Sequence, residues 1–366
     1  MSCGVGLGVS KDFESRMTQP EPIIRVKFLT KHPERDVTEL WRRLLPGGNT
    51  TLGRCQFIFD RDERNYDWLV AYDDLPAVKG ERNTLWEEIL TCPRDRTVLL
   101  TSEPATVKVY GQGFLRQFGW VLTSQEPWVI RHPGAIYCQT GLIWFYEGTH
   151  DEITRHPPEK KTALISTVCS SKQQTHTLHR QRYRFTQQLK QALPDLEIFG
   201  HGVRYIERKN EALDSFRYHV AIENHVGPHH WTEKLADSFL GMCLPFYHGA
   251  PNAADYFPAE SFISINIHDF EASRARIQQA IRDNEYERRL PAIREARRLV
   301  LERYSTFPQL ARLITERHVG PPGPPARASQ VIQSRHRWRR THPVGAVTLG
   351  LERAFVALRF AWRRHN

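Results

Sequence analysis

The chain has 366 residues, 40 % of them apolar and 11 % aromatic, enough for two or three domains with sizeable cores, which excludes a wholly disordered protein. Its formal charge of +10 is uneven: from Pro321 onward nine arginines face one glutamate, so residues 1–320 are nearly neutral and offer no continuous basic track for nucleic acid. Apolar runs such as Leu240–Tyr247 are too short to span a bilayer, Met1–Gln19 lacks the form of a signal peptide, and six cysteines without a C-x-x-C pair suggest free thiols in a reducing cytosol.

Residues 1–20 carry no apolar pattern and are expected to be flexible. Short segments rich in β-branched and aromatic residues predict strands at Ile23–Leu29, Cys55–Phe59, Trp68–Tyr72, Val98–Thr101 and Trp120–Thr123, with a helical pattern at Val37–Leu44. They form a first α/β domain over 21–150. Gly148–Lys161 has no apolar period and two prolines that stop any helix, so a linker is expected at 151–160. The second run opens with a strand at Ala163–Val168, a helix at Arg180–Leu193 and a strand at Leu196–Phe199. A strand at Tyr218–Ile222, a helix at Thr232–Met242 and a strand at Leu244–Tyr247 follow, and helices from Glu271 to Val319 brace this second domain, residues 161–320. Strands separated by helices favour parallel sheets, with the ligand site in the cleft between the two domains.

The densest chemistry lies in Glu223–Lys234, which leaves a strand, crosses a Gly-Pro loop and enters a helix at Thr232. A hydroxyl at that position caps the first turn, and the helix start with Lys234 one turn away suits a diphosphate. Glu233 beside it suits sugar or ribose hydroxyls, Arg182 on the preceding helix suits a second, bidentate phosphate contact, and a solvated Glu233–Lys234 pair is the structural alternative. In the first domain, Glu103 follows the strand Val98–Leu100, with Pro104 stiffening the turn behind it. Asp60-Arg61-Asp62 has the form of a metal-binding D-x-D but reads better as a charged loop, and His225, His229 and His230 are broken by Gly-Pro and form no helical ligand face.

The stretch Arg217–Asp269 resembles the donor-binding half of the α1,3-fucosyltransferases of glycosyltransferase family 10, in a bacterial-type form. Glu223-Asn224, Thr232-Glu233-Lys234, Pro245, Gly249, Pro251, Tyr256, Pro258 and Ser261-Phe262-Ile263 stand in the family's order and at compatible spacings. The resemblance covers residues 160–285. It implies a GT-B-like fold, two Rossmann-like α/β domains facing across a cleft, with a basic C-terminal helical tail added here. It further implies GDP-fucose as donor, bound by the second domain through Arg182, Asn224, His230, Thr232, Glu233 and Lys234, and a glycan acceptor on the first. Glu103 matches the family's catalytic carboxylate, and inversion would convert a β-linked donor sugar into an α-linked product. No cofactor or divalent metal is implied. His230 stands where the family has tyrosine, and an ordinary histidine there could donate a hydrogen bond or a charge to phosphate. A transferase using another nucleotide sugar, such as GDP-mannose, and a catalytically silent glycan-binding protein remain the alternatives.

The tail, residues 321–366, begins with a linker at Pro321–Pro325, concentrates charge at Arg335–Arg340 and continues into a helix at Val347–Arg364. Val347, Leu351, Phe355, Leu358 and Trp362 share one face of it, which with the arginines suits an anionic membrane surface contacted through residues 335–364. A helix docked on the protein is the other reading. The expected location is cytoplasmic, peripheral on the inner face of a membrane, with a lipid-linked or lipopolysaccharide glycan as acceptor.

Overall fold

The computed structural model describes residues 22–31, 34–77, 83–174, 177–320 and 330–365. The N-terminal 1–20 and the Pro321–Pro325 linker lie outside the described residues. In chain order the first half contains β1 (Ile24–Thr30), α1 (Glu34–Arg42), β2 (Thr51–Leu52), β3 (Cys55–Ile58), β4 (Trp68–Tyr72), β5 (Glu87–Ile89), β6 (Thr97–Leu100), α2 (Gln112–Leu115), β7 (Trp120–Thr123) and β8 (Ala135–Tyr137). Seven of these strands form a sheet in the order β2-β3-β1-β4-β6-β7-β8, parallel throughout except for the β2–β3 edge. Buried on both faces, β4 is an unbroken apolar run and β6 is apolar after Thr97, as parallel strands are.

The segment expected to be a helix-free linker carries a short helix, α3 (His150–Arg155). Thr149 and Glu152 cap it reciprocally, Ile153 anchors it in the core, and it stops at His156 before Pro157 and Pro158. Beyond it come β9 (Ala163–Val168), α4 (His179–Ala192), β10 (Leu196–Phe199), β11 (Phe216–Ile222), α5 (Glu233–Leu240), β12 (Leu244–His248) and β13 (Ile263–Ser264). They form an all-parallel sheet in the order β10-β9-β11-β12-β13. The order reverses at β9, so the crevice beyond the carboxyl ends of β9 and β11 is this sheet's natural ligand position. α6 (Phe270–Arg282) and α7 (Glu285–Leu299) pack on this unit.

The next helix does something else. After one turn of π-helix at Val300–Tyr304, α8 (Thr306–Arg317) crosses to β2 and β3 of the first sheet, although the sequence pattern places it with the second. Phe307, fully buried, inserts among Phe28, Trp41, Phe57 and Phe59, with ring centroids 4.8–5.9 Å apart. The two sheets are also tied by Gln309, which donates to Gln139 O (2.6 Å), and by Thr306, which donates to Leu142 O (2.9 Å).

The tail docks on the first unit. β14 (Val331–Gln333) pairs antiparallel with β5, covering the buried Lys27–Glu88 ion pair (2.8 Å), and α9 (Arg335–Thr341) leads into α10 (Pro343–His365). Leu349 and Val356 are buried against the body, while Val347, Leu351, Phe355, Leu358 and Trp362 are 49–71 % exposed. One side of this helix is docked on the body and the other is an outward apolar stripe.

Phe307→Ala empties the centre of the aromatic nest and is expected to destabilise the protein by about 3–5 kcal/mol. A shifted urea midpoint at unchanged m-value would register this, and a loss below about 1 kcal/mol would show that α8 is not a clasp.

Candidate functional site

The carboxyl ends of both sheets open into one cleft of about 720 Å³. Parallel strands deliver their next residues to the same edge, which is why residues far apart in sequence meet there. From the first sheet come Lys31 after β1, Asp73 after β4, Ser102 and Glu103 after β6, Ser124 after β7 and Gln139 after β8. From the second come Lys172 after β9 and Glu223 and Asn224 after β11, followed by His230 to Lys234 at the start of α5. Six of the seven residues singled out in the sequence, Glu103, Asn224, His230, Thr232, Glu233 and Lys234, thus line a single cleft.

Arg182 does not lie on its surface. Its guanidinium is spent on Asn224 Oδ1 (2.8 Å) and on the carbonyl of Val168 (3.0 Å), so it orients Asn224 from behind, where a bidentate phosphate contact was expected.

At the α5 start, Thr232 caps the helix by accepting from the Lys234 N–H. Thr232 is in turn held by the fully buried Glu223, whose carboxylate accepts from its N–H (2.8 Å) and its hydroxyl (2.8 Å). The Lys234 ammonium sits 2.8 Å from Glu233 Oε1, 3.2 Å from Thr232 Oγ1 and 3.5 Å from Glu223 Oε2. The Glu233–Lys234 pair is therefore part of an enclosed network and not a solvated surface pair. Burial raises the Glu223 carboxyl above its usual range, against the pull of Lys234. Burial acts on Lys234 in the opposite sense, yet Glu233 and Glu223 outweigh it and hold the ammonium charged. The residue that organises this corner, Glu223, has a readable sequence signal only as the acid ending a strand. Gly249 explains itself here: a Cβ at that position would collide with the Tyr247 hydroxyl and lie 2.6 Å from Cγ of Glu223.

Each of the three histidines takes a different partner. His225 Nδ1 lies 3.2 Å from Thr106 Oγ1, His229 Nδ1 lies 2.7 Å from the Tyr256 hydroxyl, and His230 Nδ1 lies 3.1 Å from Ser124 Oγ. Burial, helped by His225 and Lys234, lowers the His230 pKa to about 3. His230 is thus a neutral ring at physiological pH and supplies no charge to a phosphate, which corrects the expectation of an ordinary histidine. Asp60 and Asp62 lie in a surface turn where the Asp62 N–H donates to Asp60 Oδ1 (2.9 Å).

Across the cleft, sequence reading missed the cluster around Asp73. Its carboxylate accepts from Lys108 (2.6 Å), Lys31 (2.9 Å), the Tyr110 hydroxyl (2.6 Å) and the Ser102 hydroxyl (2.8 Å), and its backbone has a φ of 68°. Burial would raise this carboxyl, but Lys108, Tyr110 and Lys31 outweigh it and hold it well below the usual range. A depressed carboxyl contributes stability at neutral pH that is lost only as pH falls through its folded value. The strand-end logic that selects Glu103 selects Asp73 and Lys172 as well. The Glu103 loop is pinned by Gln125, which donates to the carbonyls of Glu103 (2.7 Å) and Lys108 (2.8 Å), and the Glu103 side chain is left exposed to the cleft. Partial burial, then Asp73 and, from across the cleft, Glu233 raise its pKa, against Lys31 and Lys108. An acid on one wall, raised above its ordinary range, facing a cation and a capped helix start on the other, is chemically equipped to take a proton while charge develops on a leaving group opposite.

Two α/β units with their carboxyl edges facing across a charged cleft define the GT-B class of fold. Residues 158–287 match the family model described as glycosyltransferase family 10 (fucosyltransferase) C-term. Over 66 residues the chain is 35 % identical to alpha-(1,3)-fucosyltransferase FucT of Helicobacter pylori, a match spanning 18 % of this chain and 13 % of that protein. The family match thus covers about a third of the chain, all of it in the second unit, and the chain spans only a small part of the length of that relative. Among solved structures, an α1,3-fucosyltransferase with GDP-fucose is 16 % identical over 75 % of this chain and 82 % of that one, at a TM-score of 0.45. A glycosyltransferase from Rickettsia africae ESF-5 is 9 % identical over 81 % of this chain and 98 % of that one, at 0.44.

Asp73→Asn removes a negative neighbour of Glu103 while leaving Lys31 and Lys108 in place, so the Glu103 pKa is expected to fall. Carboxyl-carbon NMR titration, with Glu103→Gln identifying the resonance, follows it directly. An unmoved or upward-shifted curve would show that Asp73 does not set the charge of Glu103.

Proposed function

We propose that the protein transfers L-fucose from GDP-fucose to a hydroxyl of an acceptor glycan with inversion, Glu103 accepting the proton as the new bond forms. The observation that carries this reading is that Glu103 and Thr232-Glu233-Lys234 line opposite walls of one cleft. Lys234 and the positive end of the α5 dipole meet the diphosphate, and Glu233 turns from Lys234 toward a sugar or ribose hydroxyl when the phosphate takes the ammonium. Arg182 keeps Asn224 aimed into the nucleotide-sugar pocket and adds a buried positive charge behind it. Support for fucose comes from the family match and the Helicobacter pylori relative. Charge on the departing GDP is stabilised by groups already in place.

Glu103→Gln is expected to lower the transfer rate by roughly 10²–10⁴-fold while GDP binding stays unchanged, and an unaltered rate would remove Glu103 from the mechanism. Because Glu103 must be ionised and its pKa is raised, the acid limb of the rate profile falls above the range of an ordinary glutamate. Titration calorimetry with GDP-fucose, GDP-mannose and UDP-sugars separates the donors; turnover of GDP-mannose alone would replace fucose in the proposal.

No helix among the described residues is long and apolar enough to cross a membrane. The outward stripe of α10 supports a peripheral attachment to an anionic membrane surface and hence a lipid-linked acceptor. Cutting the chain at Gly320 would also remove β14 and the docked face of α10, so substitution of Leu351, Leu358 and Trp362 by glutamine is the cleaner probe. The triple variant is expected to stop sedimenting with anionic vesicles at unchanged thermal stability; full retention on the vesicles would refute the anchor.

A further inference from the structure

A second hollow, of about 330 Å³, lies beside the cleft, between the loop that carries Glu103 and the C-terminal helix α10. Val107 lines both spaces, so they share a wall. Lys108, Arg335 and Arg353 contribute three cations to the hollow, Val356 and Phe360 form an apolar floor, and no acid lines it. The positive charge there is only partly compensated. Lys108 is engaged by Asp73. Arg335 donates from its side chain to the carbonyl of Val109 (3.3 Å) and from its backbone to Asp74 (3.1 Å), and its buried Nε has no partner. Arg353 is exposed at the rim, and no carboxylate pairs with it among the described residues. The neighbouring Arg339 is lowered by burial and then by Arg335 and Arg353, the response of a guanidinium crowded by like charges.

We propose that this hollow binds a phosphate group carried by the acceptor, beside the residue that deprotonates its sugar. Two forked guanidiniums around one small space, with the Asp73-bound ammonium of Lys108 at its edge, suit a tetrahedral oxyanion, and the apolar floor accepts the carbon to which the phosphate is esterified. The inference deepens the transferase reading and rests on it: it makes the acceptor a phosphate-bearing glycan, whether the phosphate is attached to a lipid or to a soluble sugar.

The test is calorimetric titration of the full chain with octyl phosphate below its micellar range, with glucose 1-phosphate, and with octyl glucoside as the uncharged control. Binding of either phosphate ester supports the site. Preference for octyl phosphate assigns the phosphate to a lipid, and preference for glucose 1-phosphate assigns it to a soluble sugar. Arg353→Glu, at an exposed position, is expected to weaken the favoured ester by about tenfold or more, and Ala357→Trp, which fills the hollow, to abolish its binding. Both variants should keep wild-type affinity for GDP. The proposal falls if neither ester binds, if octyl glucoside binds as well as octyl phosphate, if both variants leave affinity unchanged, or if GDP displaces the ester competitively. Failure of GDP to bind the wild type would instead remove the donor reading, and the two failures are told apart in the same titrations.

Discussion

A parallel sheet can do chemistry only at the edge where its strands end, and a protein with two such sheets must hold those edges face to face. Here the restraint is an aromatic ring. Phe307 leaves the second half of the chain and is buried in a nest of four aromatic side chains in the first, so that both units share one apolar core. Gln139, Leu142 and Phe145 on one side and Gln309, Thr306 and Asp237 on the other add hydrogen bonds along the seam. Without that fixed opposition Glu103 and Lys234 would belong to separate surfaces.

The electrostatics of the two walls are complementary. On the first, a buried aspartate gathers two ammonium groups and two hydroxyls and leaves the glutamate next to it raised and exposed. On the second, two glutamates hold a lysine whose charge is thereby secured in a buried setting. Neither wall relies on an isolated ion. Each functional charge has a permanent neighbour that fixes its state, and this is what permits charged groups to line a largely enclosed space.

Much of this was legible beforehand, and for physical reasons. The strand Trp68–Tyr72 is buried on both faces, and a continuous apolar run announces that, while Ala163–Val168 is marked by its aliphatic and β-branched residues; the limits of both coincide with the observed ones. Two- and three-residue strands such as β2, β5, β13 and β14 are too short to carry any period, and they were invisible. α8 has an amphipathic pattern, but a pattern does not say which sheet it meets. The α5 corner was readable because capping, charge and loop chemistry are local. Asp73 was not: its four partners come from two strand ends and the loop before α2, and only the sheet order brings them to the end of β4. His230 shows the same limit, because its neutrality follows from burial against the other unit.

The antiparallel pairing of β14 with β5, together with the docking of α8, gives the first unit a discontinuous origin. Its sheet comes from the early part of the chain, but the pieces that close its aromatic nest and cover the Lys27–Glu88 pair are made last. During synthesis, therefore, the second sheet has all its strands before the first is sealed, and Phe28, Phe57 and the edge of β5 wait uncovered while more than two hundred residues emerge. The order of assembly on the ribosome runs against the order of the genes' reading: the half translated first is the half finished last. A stalled or truncated nascent chain would present that unsealed surface to chaperones and proteases.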